Sequence, residues 1–443
     1  MSWTETDVVE TLKLLRPQRC PVRLVRLGGE YDGAYLVPDD LEGVIACFSP
    51  GVNNTKAFED DLAALYGIRS HLCDFSSDAS SLTTPLLEGM QTFEKKWLDV
   101  GGVPDSISLD EWVARREPVG DLMLQMDIEG AEFRNILGAS GETLRRFRVI
   151  VMEVHGVHAA GDLGYFSTAV GPLMRRLDEE FVCVHAHPNN CCGEVVHPAT
   201  GMNLPGPIEL TFLRRDRFVG VAPETMIAPS FPHPNDILRN VPGNPPLFLN
   251  AAWSDSPRSP QSRLKMEDDR LSYLRFVLSG LTAEIAQVEA ARELAARAAA
   301  DPDLQDLAIG MPFRLSSALN GYPIEGTVQA HAPFFFHTGF GPGECITIDL
   351  GSTSTVIAIE IENRTDMCWE RIQTLSVCFH QQPTPTFHGH VPLQLSAAVL
   401  TGPTGAQLTL LEPTPARFVT LFCPADTALH LAALRVFGRR ERS

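Results

Sequence analysis

Two apolar runs, LMLQMDIEGAEF from residue 122 and RVIVMEVHGV from residue 148, read as buried strands that each end in a burst of ionisable groups. In an open α/β sheet the carboxyl ends of the strands are where ligands bind, because strand ends and helix N-termini converge there. Asp127, Glu129 and Glu132 close the first run, and Glu153 and His155 the second. The chemistry of the chain is therefore expected along that edge.

Three textures divide the 443 residues. From residue 1 to 250, β-branched runs (VIACF, RSHLCDF, LMLQMDI, VIVMEV, FVCVHA, IELTFLR) alternate with helical patterns such as KAFEDDLAALYG, the signature of a Rossmann-like, mostly parallel, doubly wound α/β sheet. Residues 251–304 read as a Pro/Ser-rich linker followed by a long helix. There Leu264, Leu271, Leu274, Leu278, Leu281, Ile285 and Val288 occupy a and d positions of a heptad, with Glu267 as a lapse. A homo-oligomer through a coiled coil at 264–300 and a single helix packed on a neighbouring domain both remain open. From 305 to 443, short strands with frequent turn signals predict an all-β sandwich.

A formal charge of −19 argues against nucleic acid as a partner, since phosphates demand a basic face. No apolar run approaches the roughly 18 residues of a membrane span, and the N-terminus lacks the apolar core of a secretory signal, so no transmembrane segment is expected. The ten cysteines, irregularly spaced and including the adjacent pair Cys191 and Cys192, read as reduced, mostly structural thiols of a cytoplasmic protein.

VIACFSPGVNNTKAFEDDL is a strand, a turn around Gly51 and a helix, and the second strand ends in Asp74. A glycine permits close backbone approach to a ligand, and an acid closing the second strand is placed to hydrogen-bond ribose hydroxyls. The absence of GxGxxG disfavours NAD and leaves an adenosine-containing cofactor without a pyrophosphate.

The strings RLGGEYDGAYLVPDDL (26–41), FSPGVNNTKAFEDDLAALYG (48–67), CDFS (73–76), SLDEWV (108–113), MDIEGAEF (126–133), MEVHGV (152–157), HAHPNNCCG (185–193) and IELTF (208–212) resemble, in order, FkbM-like S-adenosylmethionine-dependent methyltransferases. The resemblance covers about residues 20–215; this chain has DGAY where the family usually has DGGY, and SPGV where a glycine-leading turn is commoner. It implies a class I methyltransferase fold, methyl transfer to oxygen and a sugar or polyketide-type hydroxyl as acceptor. It further implies that Phe48, Gly51, Asn53 and Glu59 border the cofactor, that Asp74 holds its ribose, and that Asp127 lies beside the methyl donor. Asn53 and Glu59 equally read as a helix cap and a first-turn helix acid.

A sugar hydroxyl is a poor nucleophile at neutral pH, so a general base is expected. His155 is the first candidate, because imidazole titrates nearest neutrality, and Asp127 the second, with Glu129 converging on both. Glu132 needs only the helix N-terminus to explain it. Asp32 and Tyr35 in the DGAY turn, Glu153, and His187 and Asn190 after the FVCVHAH strand are the expected acceptor-binding residues; His185 and Asn189 accompany them. Asp127, Glu129, His155, His185 and His187 also make a mixed donor set for a divalent metal.

SSALNGYPIEG (316–326), FFHTG (335–339), CITIDLGSTSTVIAIEIENRTDMCWERIQTLSVCF (345–379) and RFVTLFCPADTALHLAALRVFG (417–438) resemble a discoidin-type, coagulation-factor C-type jelly roll, which implies a module binding carbohydrate or lipid head groups. Arg364 and Arg371 read as structural braces, and Phe334, Phe335, Phe336 and Trp369 as sugar-stacking faces or core. Together these features lead to the expectation of an O-methyltransferase acting on a glycan, a bacterial surface polysaccharide or its precursor by preference. A methyltransferase of small secondary metabolites, and a glycan-binding protein with an inactive methyltransferase domain, are the alternatives.

Overall fold

The computed structural model describes residues 3–441, apart from 31, 255–257, 330–333, 365–367, 369–370, 373–374, 384–392, 396–399 and 401–404. Two compact units divide the chain, residues 1–273 and 274–443.

The first unit is built on seven strands: β1 Val44–Pro50, β2 Arg69–Cys73, β3 Gln91–Glu94, β4 Asp121–Met126, β5 Phe147–His155, β6 Phe181–Pro188 and β7 Pro207–Arg214. They lie in the order β3-β2-β1-β4-β5-β7-β6. β3, β2, β1, β4 and β5 run parallel, whereas β7 is antiparallel to both β5 and β6. Chain order thus reverses between β1 and β4, which makes the crevice beyond their carboxyl ends the topological switch point.

The pleat sends successive side chains to opposite faces, and both faces are covered. Phe48, Leu124, Ile150 and Met152 join the core beneath helices α1 (Glu5–Leu12), α3 (Leu109–Arg116), α4 (Glu132–Gly138) and α5 (Gly171–Asp178), with Leu12, Trp112, Ile136 and Leu173. Cys47, Met123, Val149 and Val151 point the other way, against Phe58 of helix α2 (Ala57–Asp61) and Leu36 and Val37 of the hairpin Leu24–Leu27/Tyr35–Pro38. The helix starts are locally encoded: Ser108 caps α3 by accepting from the Glu111 amide at 3.2 Å, with Asp110 and Glu111 in its first turn and Arg115 and Arg116 in its last. The hairpin and the edge strand β3 escape the sequence reading, because neither carries a long apolar run.

In the second unit the strands are β8 Gln305–Asp306, β9 Pro312–Leu315, β10 Glu325–Thr327, β11 Gly341–Glu362, β12 Ser376–His380, β13 Leu393–Gln394, β14 Ala406–Thr427 and β15 Ala433–Arg440. All pairings are antiparallel, in the order β8-β15-β11-β14-β12-β13, with β9 bonded to β10 and β11. The result is the expected β-sandwich around Ile346, Ile348, Val419, Leu421 and Leu434. CITIDL and VIAIEIEN, which read as two strands, belong to one: the turn signal at Gly351 is a register shift between Asp349 and Ser354 inside β11, not a chain reversal. Similarly, QLTLL and RFVTLFC both lie in β14. The long helix α6 runs from Pro260 to Ala300. Cys191 and Cys192, expected as free thiols, are joined by a disulfide in the bend after β6, while the other eight cysteines are free.

The switch point has a steric consequence. Gly51 has φ +84°, and a Cβ placed there would lie 1.5 Å from the Asp127 carbonyl oxygen. Gly51→Ala is therefore expected to destabilise the first unit by at least about 2 kcal/mol. Urea unfolding of the full chain measures this; an unchanged transition would show that the strand ends separate freely.

Candidate functional site

The carboxyl ends of β1, β2 and β4 open into a cavity of about 690 Å³, within the size range of small-ligand pockets. Among the expected residues, Gly51, Asn53, Glu59, Asp74, Asp127, Glu129, Asp32 and Tyr35 line it. Phe48 does not: it is fully buried in the core, edge-on to Trp112 at 4.9 Å between ring centroids, because the pleat turns its side chain under the sheet.

Asp74 organises the cavity floor. Its Oδ2 accepts from the Asn53 amide at 2.8 Å, and its Oδ1 accepts from the Ser76 amide and hydroxyl at 2.7 and 2.6 Å. One carboxylate thus ties the loop after β1 to the loop after β2. Asn53 sits at φ +46° in that loop and does not cap α2, whose N-cap is Lys56. Glu59, in the first turn of α2, is buried and accepts from the Ser49 hydroxyl, and burial pushes its carboxyl up to about 7. Gln125, on β4, also lines the cavity, and its amide donates to the Tyr35 hydroxyl at 3.4 Å.

Beside the cavity, β4, β5 and β7 bring acids together. Asp127 follows β4, and its Oδ1 is buried with no hydrogen-bond partner among the described residues. Burial, reinforced by Glu129, Glu132 and Asp32, outweighs the pull of His155 and raises its carboxyl to about 7. His155 Nε2 lies 3.3 Å from Glu129 and 3.5 Å from Glu153, and Nδ1 lies 3.3 Å from Glu132. Burial disfavours the imidazolium, but the bond to Glu132 and the fields of Glu132, Asp127 and Glu129 prevail and raise its proton affinity. Glu153 pairs in register with Glu209 across β5 and β7, and both are buried. Burial and the surrounding acids raise the Glu153 carboxyl strongly.

The sequence reading set Glu132 aside as a first-turn helix acid. The structure gives it more to do: its Oε1 accepts from the amides of Ile128 and Gly130 at 3.0 and 3.2 Å and holds the His155 ring. Glu209 was also missed, although an acid inside the apolar run PIELTFLR was the available signal. Asn240 and Asp236 carried no local signal, because they lie in a Pro/Asn-rich stretch that reads as a connector.

His187 and Asn190, expected at the acceptor, lie elsewhere. Asn190 is a brace: its Oδ1 accepts from the Val241 amide at 2.8 Å, and its Nδ2 donates to the carbonyls of Val241, Asn244 and Pro245 at 3.0–3.2 Å. His187 is buried on β6, with Nε2 3.1 Å from Asn240 Oδ1 and Nδ1 3.7 Å from Asp236. His185 bonds the same Asp236 at 3.1 Å. The loop after β7 folds over β6 and takes up these polar side chains, so they cannot reach the cavity. Asn189 does stay with the site, holding both oxygens of Glu153 at 3.3 Å. Asn240 links the two regions by donating to Asp32 at 2.8 Å and to Glu209 at 2.7 Å.

Two tests of fit follow from this geometry. The acid at the end of β2 and an acid-rich wall are compatible with S-adenosylmethionine, whose sulfonium and ammonium groups are cationic. For a divalent cation, ligand atoms of Asp127, Glu153 and His155, and likewise of Asp32, Glu153 and Glu209, lie within 4.8 Å of one another. These oxygen-rich sets suit a hard cation.

Residues 52–181 match the family model described as methyltransferase FkbM domain. Among solved structures, the lectin domain of lectinolysin in complex with Lewis b antigen shares 22% identity, over 31% of this chain and 98% of that one, with TM-score 0.26. A fucose-binding module of Streptococcus pneumoniae shares 17% identity, over 30% of this chain and 94% of its own, with TM-score 0.25. An f-lectin from striped bass (Morone saxatilis) serum shares 19% identity, over 30% of this chain and 49% of its own, with TM-score 0.27. No curated protein matches the chain.

The His187–Asp236 contact predicts a pH signature. Burial opposes the His187 charge, but Glu209 and Asp236 raise its pKa from 6.5 to about 9. A proton held more tightly in the folded state stabilises fully below pH 6.5, and that stabilisation is lost as pH rises through about 9. Thermal midpoints taken across this window should fall more steeply for the native chain than for His187→Gln; parallel curves would dismiss the contact.

Proposed function

We propose that this chain, whose residues 52–181 are an FkbM methyltransferase domain, is an S-adenosylmethionine-dependent O-methyltransferase that modifies a sugar hydroxyl of a glycan. The observation that carries the reading is the position of Gly51, Asp74 and Asp127 at the switch point, on one cavity wall that continues to Asp32 and Tyr35. S-adenosylmethionine, when bound, supplies a methyl group on a positively charged sulfur.

The residues of the chain do the rest. Gly51 lets the ends of β1 and β4 close together on the cavity wall, and Asp74 would accept from ribose hydroxyls through the lone pairs that Asn53 and Ser76 leave. The surplus of carboxylates favours a cationic methyl donor over its neutral product. At the acceptor, Asp127 takes the hydroxyl proton. It lies on the cavity wall, its Oδ1 has no other partner, and its raised proton affinity matches a base working near neutrality. His155, the first candidate from the sequence, acts instead through Asp127: set among carboxylates that raise its proton affinity, it steadies the charge on its neighbour. Glu132 fixes its orientation. A divalent cation at Asp32, Glu153 and Glu209 would orient acceptor hydroxyls.

The β-sandwich supports a glycan as acceptor. Arg364 lies over the Phe334 ring at 4.3 Å and Arg371 over Phe340 at 5.1 Å, with His337 beside both rings. Exposed Phe340 offers a stacking face, and the Arg371 guanidinium suits sugar hydroxyls as a multiple donor. Phe336 is buried in the core, and Trp369 lies outside the described residues. A covalently attached sugar-binding module raises the effective concentration of a polymeric acceptor. A surface polysaccharide or its precursor fits that arrangement.

Calorimetric titration with S-adenosylhomocysteine should show binding to the native chain and at least a tenfold loss in Asp74→Ala; no binding to the native chain would overturn the reading. Asp127→Asn should lower methyl transfer by about 10²–10⁴-fold, the usual share of a general base, while S-adenosylhomocysteine still binds. On a glycan array the native chain should bind a discrete set of oligosaccharides and Arg371→Ala should lose them. Chelation with EDTA should depress transfer without affecting S-adenosylhomocysteine binding; unchanged turnover would remove the cation from the reading.

A further inference from the structure

Helix α6 is uninterrupted from Pro260 to Ala300, yet its apolar side chains are uncovered. Leu264, Leu271, Leu274, Leu278, Leu281, Ile285 and Val288 are each between 46% and 64% exposed. Aliphatic side chains scattered singly on a surface need no partner, but a continuous row at intervals of three and four does. Two charged residues interrupt the row, Glu267 at a d position and Arg292 at an a position, and both are exposed.

We propose that α6 pairs with α6 of a second copy of this chain, and that the two helices run antiparallel. The charged interruptions decide the direction. In a parallel, in-register pair, Glu267 would face Glu267 and Arg292 would face Arg292, two like-charge contacts in the apolar seam. Turned antiparallel about the point between Ser279 and Gly280, the same helices place Leu278 against the partner's Leu281, Leu274 against Ile285, and Leu271 against Val288. Glu267 then meets the partner's Arg292, so both interruptions are neutralised by each other. Leu264 completes the seam against Ala295. Opposite charge at single core positions is a recognised determinant of coiled-coil register.

The register has a second support that is independent of charge. Its centre coincides with the middle of the 41-residue helix, so both copies overlap along their full length and no part of the apolar row is left without a layer. At the rim, Asp268 approaches the partner's Glu289; both are exposed, and such a contact is weakened by salt.

Sedimentation equilibrium of the full chain tests this, independently of the methyl-transfer reading. The native chain should be a dimer at micromolar concentration, and Leu278→Glu combined with Leu281→Glu should be monomeric. Glu267→Arg alone and Arg292→Glu alone should each weaken the dimer by about tenfold or more, because each sets like charges across the seam. The double reversal E267R/R292E should return the dissociation constant to within about threefold of the native value, since the antiparallel pairs are re-formed. A parallel dimer would gain nothing from the double reversal. All substituted positions are exposed, so far-ultraviolet circular dichroism and S-adenosylhomocysteine affinity should be unchanged and separate loss of pairing from loss of fold. A native chain that stays monomeric at tens of micromolar, or a dimer that the double reversal fails to restore, would overturn the proposal.

Discussion

The carboxyl ends of β1 and β4 approach so closely that only a hydrogen fits on Gly51 next to the Asp127 carbonyl. That contact belongs to the reversal of strand order in the sheet, and much of the first unit is arranged around it. The Gly51 amide donates to the Cys73 carbonyl at 3.0 Å and the Asp127 amide to Pro50 at 3.2 Å, so the ends of β1, β2 and β4 are stitched into one rim. The cavity lies along this rim, and Asp74 secures the loops over it.

Around the rim the electrostatics are lopsided. Asp127 and His155 converge with Glu153, Glu153 in turn with Asp32 and Glu209, and Glu129 and Glu132 flank the His155 ring. Burial raises the proton affinities of Asp127, Glu153 and Glu209, and the alternative to neutralising such acids is a bound cation. The polar side chains of β6 meet a different fate: Asp236 lies between His185 and His187, whose proximity holds its carboxyl well below the usual range against the opposing effect of burial. That network anchors the loop after β7 and leaves the cavity to the acids.

The second unit is organised by its long strands. β11 and β14 pair with each other, and bulges at Asp349/Ser354 and Val356/Ala358 bend them without ending them. At one place on this unit Phe334, His337, Phe340, Arg364 and Arg371 come together, and buried His430 adds an imidazole beside His337. Arginines that read as interstrand braces are thus drawn over aromatic faces, because a guanidinium is planar and weakly hydrated enough to stack.

Strand and helix types were legible because period-2 and period-3.6 patterns are local properties: β1, β4, β5 and the row on α6 could be read from their own residues. So could the carboxyl-edge location of Asp74, Asp127 and His155, since a strand end is marked by where its apolar run stops. Other facts depend on distant parts of the chain. Which face Phe48 takes, whether His187 reaches the cavity, and that Glu132 serves His155 are set by register and by the loop containing Asp236 and Asn240, some 50 residues beyond β6. The sequence by itself determined the kinds of element, the composition of the acid edge and the apolar row on α6. Tertiary structure alone decided which of those polar groups share a cavity, because burial, pairing and proton affinity arise only when segments remote along the chain are packed together.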